Sequence, residues 1–252
     1  MSAPGSRFAD NQQRFFEEAD APHFLWQTRN PHFADTERAL LRGFPVVAGQ
    51  LVLEVGCGEG GNLVNLLGAG PAPPGLFVGC DLFPRKLSFA RAQGIPARFV
   101  GGDALTLPFR DGAFDAILCR DVLHHLEDPE PAIEELKRVC RPDGTVWIVE
   151  PNGRNPVIRG LAFLRPHERG QLRNSIESLT ALVAPRFPRV EVEVRQPFPV
   201  YRVVLHYQFG LPRLGSLRWC RALLDLLDRM ARVVCPRRRW AYIVVKLGRA
   251  AL

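Results

Sequence analysis

Four glycines within six residues form the part of the sequence whose types and spacing are best suited to chemistry. Gly56, Gly58, Gly60 and Gly61 follow the apolar, strand-like run LVLEV and precede an apolar, helix-forming segment. Glycine lets main-chain N–H groups and a helix N-terminus approach a ligand without a Cβ atom in the way. The pattern predicts a strand, a turn and a helix that hold a cofactor. It also fits the G-x-G-x-x-G spacing of dinucleotide sites, so the glycines alone leave the cofactor open.

Three acidic residues lie at or near the ends of successive predicted strands. Glu54 lies inside the first strand, Asp81 ends the second, and Asp103 follows the third. Ligands of parallel sheets bind at the carboxyl ends of the strands, so we expect these side chains near the glycine turn. A carboxylate at the position of Asp81 can accept hydrogen bonds from both ribose hydroxyls of a nucleoside. Asp103 is placed to suit an adenine amino group.

Two adjacent imidazoles, His124 and His125, follow the fourth predicted strand at the same edge. Histidine is the commonest general base because it titrates near neutral pH. His125 is the preferred candidate for that role, and the alternative is that both residues pack or cap the next helix. Glu150, which follows the fifth predicted strand, is interpreted as a group that caps a turn, with a carboxylate of the acceptor pocket as the alternative.

The elements that must position these residues alternate between strand and helix. This rhythm predicts a mostly parallel sheet with right-handed helical crossovers. The predicted strands are 51–55, 76–80, 97–100, 114–118, 144–149, 190–194 and 240–247. The predicted helices are 61–68, 84–93, 128–140, 173–184 and 214–234.

Six motifs occur in a fixed order between residues 51 and 155. They are E-V-G-C-G-E-G at 54–60, Asp81, G-D-A at 102–104, L-P-F-R-D-G-A-F-D at 107–115, V-L-H-H-L at 122–126 and L-K-R-V-C-R-P-D-G at 136–144. Together they resemble the class I S-adenosylmethionine-dependent methyltransferases, in the type 11 and quinone-biosynthesis branch. The resemblance implies an α/β, Rossmann-like fold: a mostly parallel seven-stranded sheet with a C-terminal antiparallel strand and helical insertions. It also implies S-adenosyl-L-methionine as cofactor and methyl transfer as the reaction.

The resemblance assigns cofactor contacts residue by residue. The glycine loop would pass under the methionine end, Glu54 would orient that loop and the ammonium group, and Asp81 would bind the ribose. Arg120 matches a position that lines the methionine moiety, where many members have Asn or Ser. The implied cofactor-binding residues are Glu54, Gly56, Cys57, Gly58, Gly60, Asp81, Leu82, Asp103, Ala104 and Arg120.

The activity implied by the resemblance needs little covalent chemistry from the protein. A methyl sulfonium is already electrophilic, so the protein mainly aligns the acceptor atom, the methyl carbon and the sulfur. A phenol, hydroxyl or acidic carbon would also need a base, for which His125 and then His124 are the candidates. The six cysteines lack CxxC spacing, and no metal site is predicted.

The segments outside the motif region suggest a domain organisation. Residues 1–44 are predicted to be a helical, aromatic-rich extension that forms a lid, with simple packing as the alternative. Residues 45–252 would form the methyltransferase domain. Within it, insertions 151–172 and 197–237 combine large apolar residues with arginines and would form the acceptor region.

Charge is distributed unevenly along the chain. Residues 1–150 carry 14 Lys+Arg and 20 Asp+Glu, net −6, whereas residues 151–252 carry 19 and 6, net +13. The basic half favours an anionic partner. We interpret the acceptor as a small, hydrophobic or lipid-like metabolite, methylated on oxygen or carbon, with peripheral membrane contact through 197–239.

Two other interpretations of function stay open. RNA or another nucleic acid is the competing acceptor, because Arg237, Arg238 and Arg239 stand beside Trp240. A non-catalytic scaffold that binds S-adenosylmethionine is the second. A cytoplasmic location is expected, because the first residues contain no apolar run. The sequence leaves the oligomeric state open.

Overall fold

A seven-stranded sheet forms the centre of the protein. The computed structural model describes residues 18–68 and 76–248. The strand order is β3-β2-β1-β4-β5-β7-β6. Strands β1 to β5 pair in parallel, and β7 is antiparallel to both β5 and β6. The predicted fold class is therefore confirmed. The strands are β1 Leu51–Val55, β2 Leu76–Asp81, β3 Arg98–Gly101, β4 Phe114–Arg120, β5 Cys140–Pro151, β6 Arg189–Arg195 and β7 Tyr242–Gly248.

Helices cover both faces of the sheet. Successive side chains of a strand point to opposite faces, so Leu53 packs into one apolar core and Val52 into the other. The α-helices are α1 Ala21–Arg29, α2 Pro31–Leu40, α3 Gly61–Leu67, α4 Pro84–Ala92, α5 Glu130–Val139, α6 Pro156–Leu164, α7 Ile176–Val183, α8 Tyr201–Val204 and α9 Arg218–Val234. Short 3₁₀ helices cover Leu123–His125, Pro166–Arg173, Pro212–Ser216 and Arg237–Arg239.

A third apolar core joins the N-terminal segment to the second insertion. Trp26 and Phe33 pack with residues of 197–237 such as Tyr201 and Leu205. The indole Nε1 of Trp26 donates a hydrogen bond to the carbonyl of Leu205 at 2.5 Å. These aromatic residues of α1 and α2 therefore pack against the protein itself. The predicted extension also includes residues 1–17, which lie outside the described residues.

Two predicted elements have starts that differ by four residues from those found, and most of the others differ by one to three residues at an end. Strand β5 begins at Cys140, four residues before the prediction, because Cys140 pairs with Phe114 of β4, and the PDG segment lies in the register shift before Thr145 pairs with Ala116. Helix α9 begins at Arg218, because a 3₁₀ helix that starts at Pro212 precedes it. Within 18–68 and 76–248, no helix is long and apolar enough to cross a bilayer.

Candidate cofactor site and acceptor cavity

The glycine loop lies against the carboxyl end of β2. The N–H groups of Gly56 and Cys57 donate to the carbonyl of Cys80 at 2.8 and 3.0 Å. The N–H of Gly58 donates to Asp81 Oδ2 at 2.7 Å. Gly56 has a φ of 70°, and a Cβ atom there would lie 2.3 Å from a methyl carbon of Val122. Only glycine fits this close approach.

The acids at the ends of β2 and β3 lie side by side. Asp81 is 7% exposed, and its Oδ1 accepts from the N–H of Phe83 at 2.9 Å. Burial raises the pKa of Asp81, although the two amide donors oppose this effect. The N–H of Gly102 donates to the carbonyl of Asp81, which places Asp103 at the same edge. Asp103 accepts from the N–H of Leu105 at 2.9 Å. Leu82 is 54% exposed and Ala104 half-buried.

Glu54 has one carboxylate oxygen without a partner. The side chain is 1% exposed, and Oε1 accepts from Asn62 Nδ2 at 2.7 Å. Oε2 is buried and has no hydrogen-bond partner among the described residues. Burial raises the pKa of Glu54 to about 8. A buried carboxylate with a vacant oxygen suits a ligand that brings a positive charge.

A cavity of about 380 Å³ opens beside the glycine loop. The walls come mainly from the loop itself, the end of β4, the N-terminal segment and the two insertions. Most of the lining side chains are polar or charged. The lining includes Asp20, His23, Gln27, Gly56, Cys57, Gly58, Glu59, Asn62, Lys86, Arg120, Asp121, His125, Ile158, Leu161, Arg165, Glu168, Gln171, Arg202, Tyr207, Gln208 and Tyr242. Of the predicted cofactor-binding residues, Glu54, Gly60, Asp81, Leu82, Asp103 and Ala104 do not line it.

A buried chain of polar contacts ties the outer segments to this site. Arg120, at the end of β4, pairs with Glu37 of α2 and donates to Asn62 Oδ1 at 2.8 Å. Arg202 of the second insertion donates to the other oxygen of Glu37 at 2.6 Å. Burial would raise the pKa of Glu37, yet the two arginines lower it below its usual value. Since Asn62 also binds Glu54, the N-terminal segment and the insertion are both linked to the cofactor site.

The start of α1 is also fastened over the glycine loop. The N–H of Asp20 donates to Glu59 Oε1 at 3.0 Å, and Lys86 lies 3.4 Å from the same oxygen. The Tyr207 hydroxyl donates to Asp20 Oδ2 at 2.5 Å. These contacts place the N-terminal segment beside the cavity. The role of residues 1–44 as a lid stays a prediction.

His124 is held between two carboxylates. Its Nδ1 lies 2.6 Å from Glu150 Oε2, and its Nε2 lies 3.2 Å from Glu168 Oε2. Burial alone would lower its pKa, but the two carboxylates raise the pKa of His124 to about 10. Glu150 also accepts from the N–H groups of Val122 and Leu123, so it caps that turn as interpreted from sequence. His124 is thus a charged residue with both nitrogens occupied, and it does not line the cavity.

His125 lines the cavity, and its pKa is shifted in the opposite direction to that of His124. Burial and the adjacent His124 charge hold the pKa of His125 well below its usual value. The ring is therefore neutral at physiological pH. His124, His125 and Glu168 bring potential metal-ligand atoms within 4.8 Å of one another. Because both nitrogens of His124 already face carboxylates, we describe the cluster as an ion-pair network.

Sequence reasoning missed three residues that shape the site. Glu37, Arg202 and Glu168 each lie far along the chain from their partners, and no motif marks them. The sequence did predict that Glu150 caps a turn, but not which residues it contacts.

Comparisons with known proteins place the central region in a family. A family model described as a methyltransferase domain matches residues 53–148. A demethylmenaquinone methyltransferase from Thermus thermophilus is 42% identical over 83 residues, which cover 31% of this chain and 38% of that protein. A tRNA (carboxymethyluridine(34)-5-O)-methyltransferase from Arabidopsis thaliana is 33% identical over 142 residues, covering 51% of this chain and 33% of that protein. The chain thus spans well under half the length of these relatives.

A solved structure extends the comparison beyond the motif region. Phosphoethanolamine N-methyltransferase 2 from Haemonchus contortus, in complex with S-adenosyl-L-methionine, aligns with a TM-score of 0.68. The alignment covers 98% of this chain and 61% of that one, at 17% identity, which establishes the fold. Residues 53–148 therefore form a methyltransferase domain of the S-adenosylmethionine-dependent class, S-adenosylmethionine is the cofactor of that domain, and the fold of the chain is the one seen in the solved methyltransferase structure.

Proposed function

We propose that this protein transfers the methyl group of S-adenosylmethionine to a small acceptor held in the cavity. The observation that carries the proposal is the cavity itself, which joins the glycine loop on one side to a neutral imidazole, His125, on the other. Bound there, the cofactor supplies an electrophilic methyl group. The protein then has to align the acceptor, exclude water and receive a proton.

The cofactor-binding assignment follows from unused binding capacity. The buried Oε2 of Glu54 lacks a donor and would receive the ammonium group of the methionine moiety. Asp81 would accept from the ribose, since each of its oxygens has one amide donor and retains accepting capacity. Asp103 and Ala104, with Leu82, would border the adenine. Gly58 has no heavy atom within 4 Å of a would-be Cβ, so the loop leaves open space there.

We assign the base to His125 and a positioning role to His124. His125 lines the cavity and stays neutral, so it can take a proton from a hydroxyl or an acidic carbon. His124 is held by Glu150 and Glu168, and its ring lies 3.9 Å from that of His125, centroid to centroid. Burial, with the positive charge on His124, lowers the pKa of His125 and keeps its ring unprotonated. A positioned base contributes roughly 10² to 10⁴ in rate.

The lining of the cavity supports an acceptor with a polar, oxygen-bearing head. Arg165 and Arg202 line the cavity, and the Nε atom of each is buried without a hydrogen-bond partner among the described residues. Buried donors of this kind favour a ligand that offers acceptor oxygens. The apolar remainder of a hydrophobic or lipid-like acceptor would extend from the mouth along the two insertions. We therefore retain oxygen or carbon methylation of an amphiphilic metabolite as the proposed reaction.

The experiment uses S-adenosylmethionine labelled on the methyl group, incubated with the protein and a cell extract. The extract is then separated into solvent-extractable, aqueous small-molecule and RNA fractions. Label in the solvent-extractable fraction, absent with Asp81→Ala, is the expected result. Cofactor binding with no label in any fraction would overturn the proposal in favour of a scaffold.

RNA is the second candidate acceptor. The Arabidopsis relative acts on tRNA by its name, and arginines are concentrated in residues 151–252. Label found in the RNA fraction and lost on ribonuclease treatment would favour this candidate. This candidate requires that the polar cavity admit a base extruded from the RNA.

A further inference from the structure

Only part of the apolar face of helix α9 is covered by the rest of the protein. Cys220, Leu224 and Ala231 are 4 to 9% exposed and pack onto the protein. At 100° per residue, the apolar positions occupy about half of the helix circumference. We call the exposed part of this apolar face, which lies beside the packed residues, the α9 seam. Its side chains, 47 to 86% exposed, are Trp219, Leu223, Leu226, Met230, Val233 and Val234. A contiguous apolar surface of this kind marks an interaction site.

An arginine-lined groove lies just beyond the end of this helix. Arg238 and Arg239, four and five residues after Val234, line one opening together with Arg154 and Arg159. We call this opening the arginine groove. Of these arginines, Arg154 pairs with an acid, Glu177, at 2.9 Å. None of the described residues that line the groove is acidic.

The groove is built on buried asparagines, which fix the backbone of the arginine turn. Asn152 and Asn155 are both 0% exposed. Asn152 Nδ2 donates to the carbonyls of Trp240 at 2.7 Å and Arg238 at 3.1 Å. Asn155 Nδ2 donates to the carbonyl of Arg239 at 2.7 Å. The arginines are thus presented on a rigid frame, and ordering them for an anionic ligand costs less.

Exposed apolar side chains also follow Arg159 along helix α6. Arg159 and Phe163 are separated by four positions on α6, so they share one helix face. Phe163 is 68% exposed and the adjacent Leu164 is 64% exposed. The groove is therefore flanked in sequence by exposed apolar residues of α6 and of α9.

We propose that the α9 seam and the arginine groove dock this protein onto a bilayer that contains anionic phospholipids. The groove takes lipid phosphates, and the seam lies at the boundary between headgroups and acyl chains. Amphipathic helices with arginines beside the apolar face bind such surfaces. This docking does not depend on methyl transfer.

Charge distinguishes this occupant from a second copy of the chain. On the helical projection, Arg218 and Arg229 border the exposed seam. The acids of the helix, Asp225 and Asp228, lie farther around, and Asp228 already pairs with Arg232 at 2.7 Å. A self-pair would bring arginines together along the seam without acids opposite them. An anionic surface complements the same arrangement.

The test is co-sedimentation of the full chain with vesicles of phosphatidylcholine alone and of phosphatidylcholine mixed with phosphatidylglycerol. We expect binding to the mixed vesicles and loss of most of it at high salt. Arg238→Glu with Arg239→Glu should lower the partition coefficient at least about tenfold. Met230→Glu with Val233→Glu should lower it similarly, and it should abolish a blue shift of Trp219 fluorescence. Arg98→Glu with Arg110→Glu, exposed arginines elsewhere, is the charge-matched control.

The outcomes that would overturn the proposal are distinct. Unchanged vesicle binding by the Met230 and Val233 double variant would show that the seam takes no part in membrane docking. Light scattering that shows a dimer dispersed by that variant, without vesicle binding, would assign the seam to a second copy. Vesicle binding that appears only after deletion of residues 1–17 would assign the seam to that segment. Equal binding to RNA, indifferent to the seam variant, would assign the groove to nucleic acid. Unchanged thermal unfolding of each variant confirms that it is folded.

Discussion

Binding of S-adenosylmethionine should release close to one proton at pH 6.5. Burial raises the pKa of Glu54 to about 8, so the carboxyl group is about 97% protonated at that pH. An ammonium group at the vacant Oε2 would return the pKa toward its usual value of 4.5, at which about 1% of the carboxyl group remains protonated at pH 6.5. The difference of about 3.5 pKa units corresponds to roughly 5 kcal/mol of coupling between the charge of Glu54 and the cofactor.

Isothermal titration calorimetry in two buffers of different ionisation enthalpy measures this proton directly. The cofactor amine, with an ordinary α-amino pKa of about 7.7 to 8.0, is already mostly protonated at pH 6.5. Glu54→Gln is the matched control, because its amide keeps the shape but cannot ionise. We expect a release of about 0.9 to 1 proton in the wild type and almost none in the control. Equal proton release in both proteins would refute the placement of the ammonium group.

The same group determines the sign of two pH dependences. Cofactor affinity should rise about tenfold per pH unit above pH 4.5, and it should fall again above about pH 8 as the cofactor amine loses its proton. The free protein should show the opposite trend in stability. Because the folded pKa is raised, the contribution of Glu54 is fully present below pH 4.5 and is lost as the pH rises through 8.

Three further substitutions test separate parts of the site. Asp81→Ala should weaken cofactor binding about tenfold or more through loss of the ribose contact, and an unchanged dissociation constant in a fluorescence titration would contradict it. His125→Gln should lower kcat roughly 10² to 10⁴-fold with little change in cofactor affinity, whereas an unchanged kcat would show that the acceptor needs no base. Glu150→Gln should lower the free energy of unfolding in urea by up to about 3 to 5 kcal/mol, because it removes the more deeply buried of the two carboxylates that compensate the His124 charge. Since the folded pKa of His124 is raised from 6.5 to about 10, this loss should be fully present below pH 6.5 and vanish as the pH rises through 10. A loss of equal size at high pH would contradict that pairing.

The sheet and the glycine loop were predictable because their signals are local. Each strand-like run, the glycine spacing and the acid at the end of β2 can be recognised within a few consecutive residues. The positions of β1 and β2 follow from these runs, and Asp81 meets the loop because the two strands are neighbours. The antiparallel β7 was expected from the family resemblance.

The connections between distant segments were not predictable in the same way. Glu37 binds Arg202 across 165 positions, and it meets Arg120 across 83. Such contacts depend on how the N-terminal segment and the insertion pack on the sheet. The distinction between His124 and His125 is similar, since two adjacent residues of one type differ only in the carboxylates that tertiary structure brings to them.

The apolar residues of the insertions illustrate a further limit. From sequence, they indicated a hydrophobic acceptor pocket. In the structure, Tyr201 and Leu205 pack in the third core, while Phe163 and Val233 are exposed. The cavity lining is mainly polar instead. Helical periodicity shows which residues share a face, but not which face meets the protein, the ligand or the surroundings.

A crystal structure of the protein with S-adenosylhomocysteine bound would test the central claim most directly. We predict the amino group within hydrogen-bond distance of Glu54 Oε2, the ribose hydroxyls at Asp81, and the sulfur facing the cavity that His125 lines. Density for the ligand away from the glycine loop, or a sulfur pointing away from that cavity, would contradict the account.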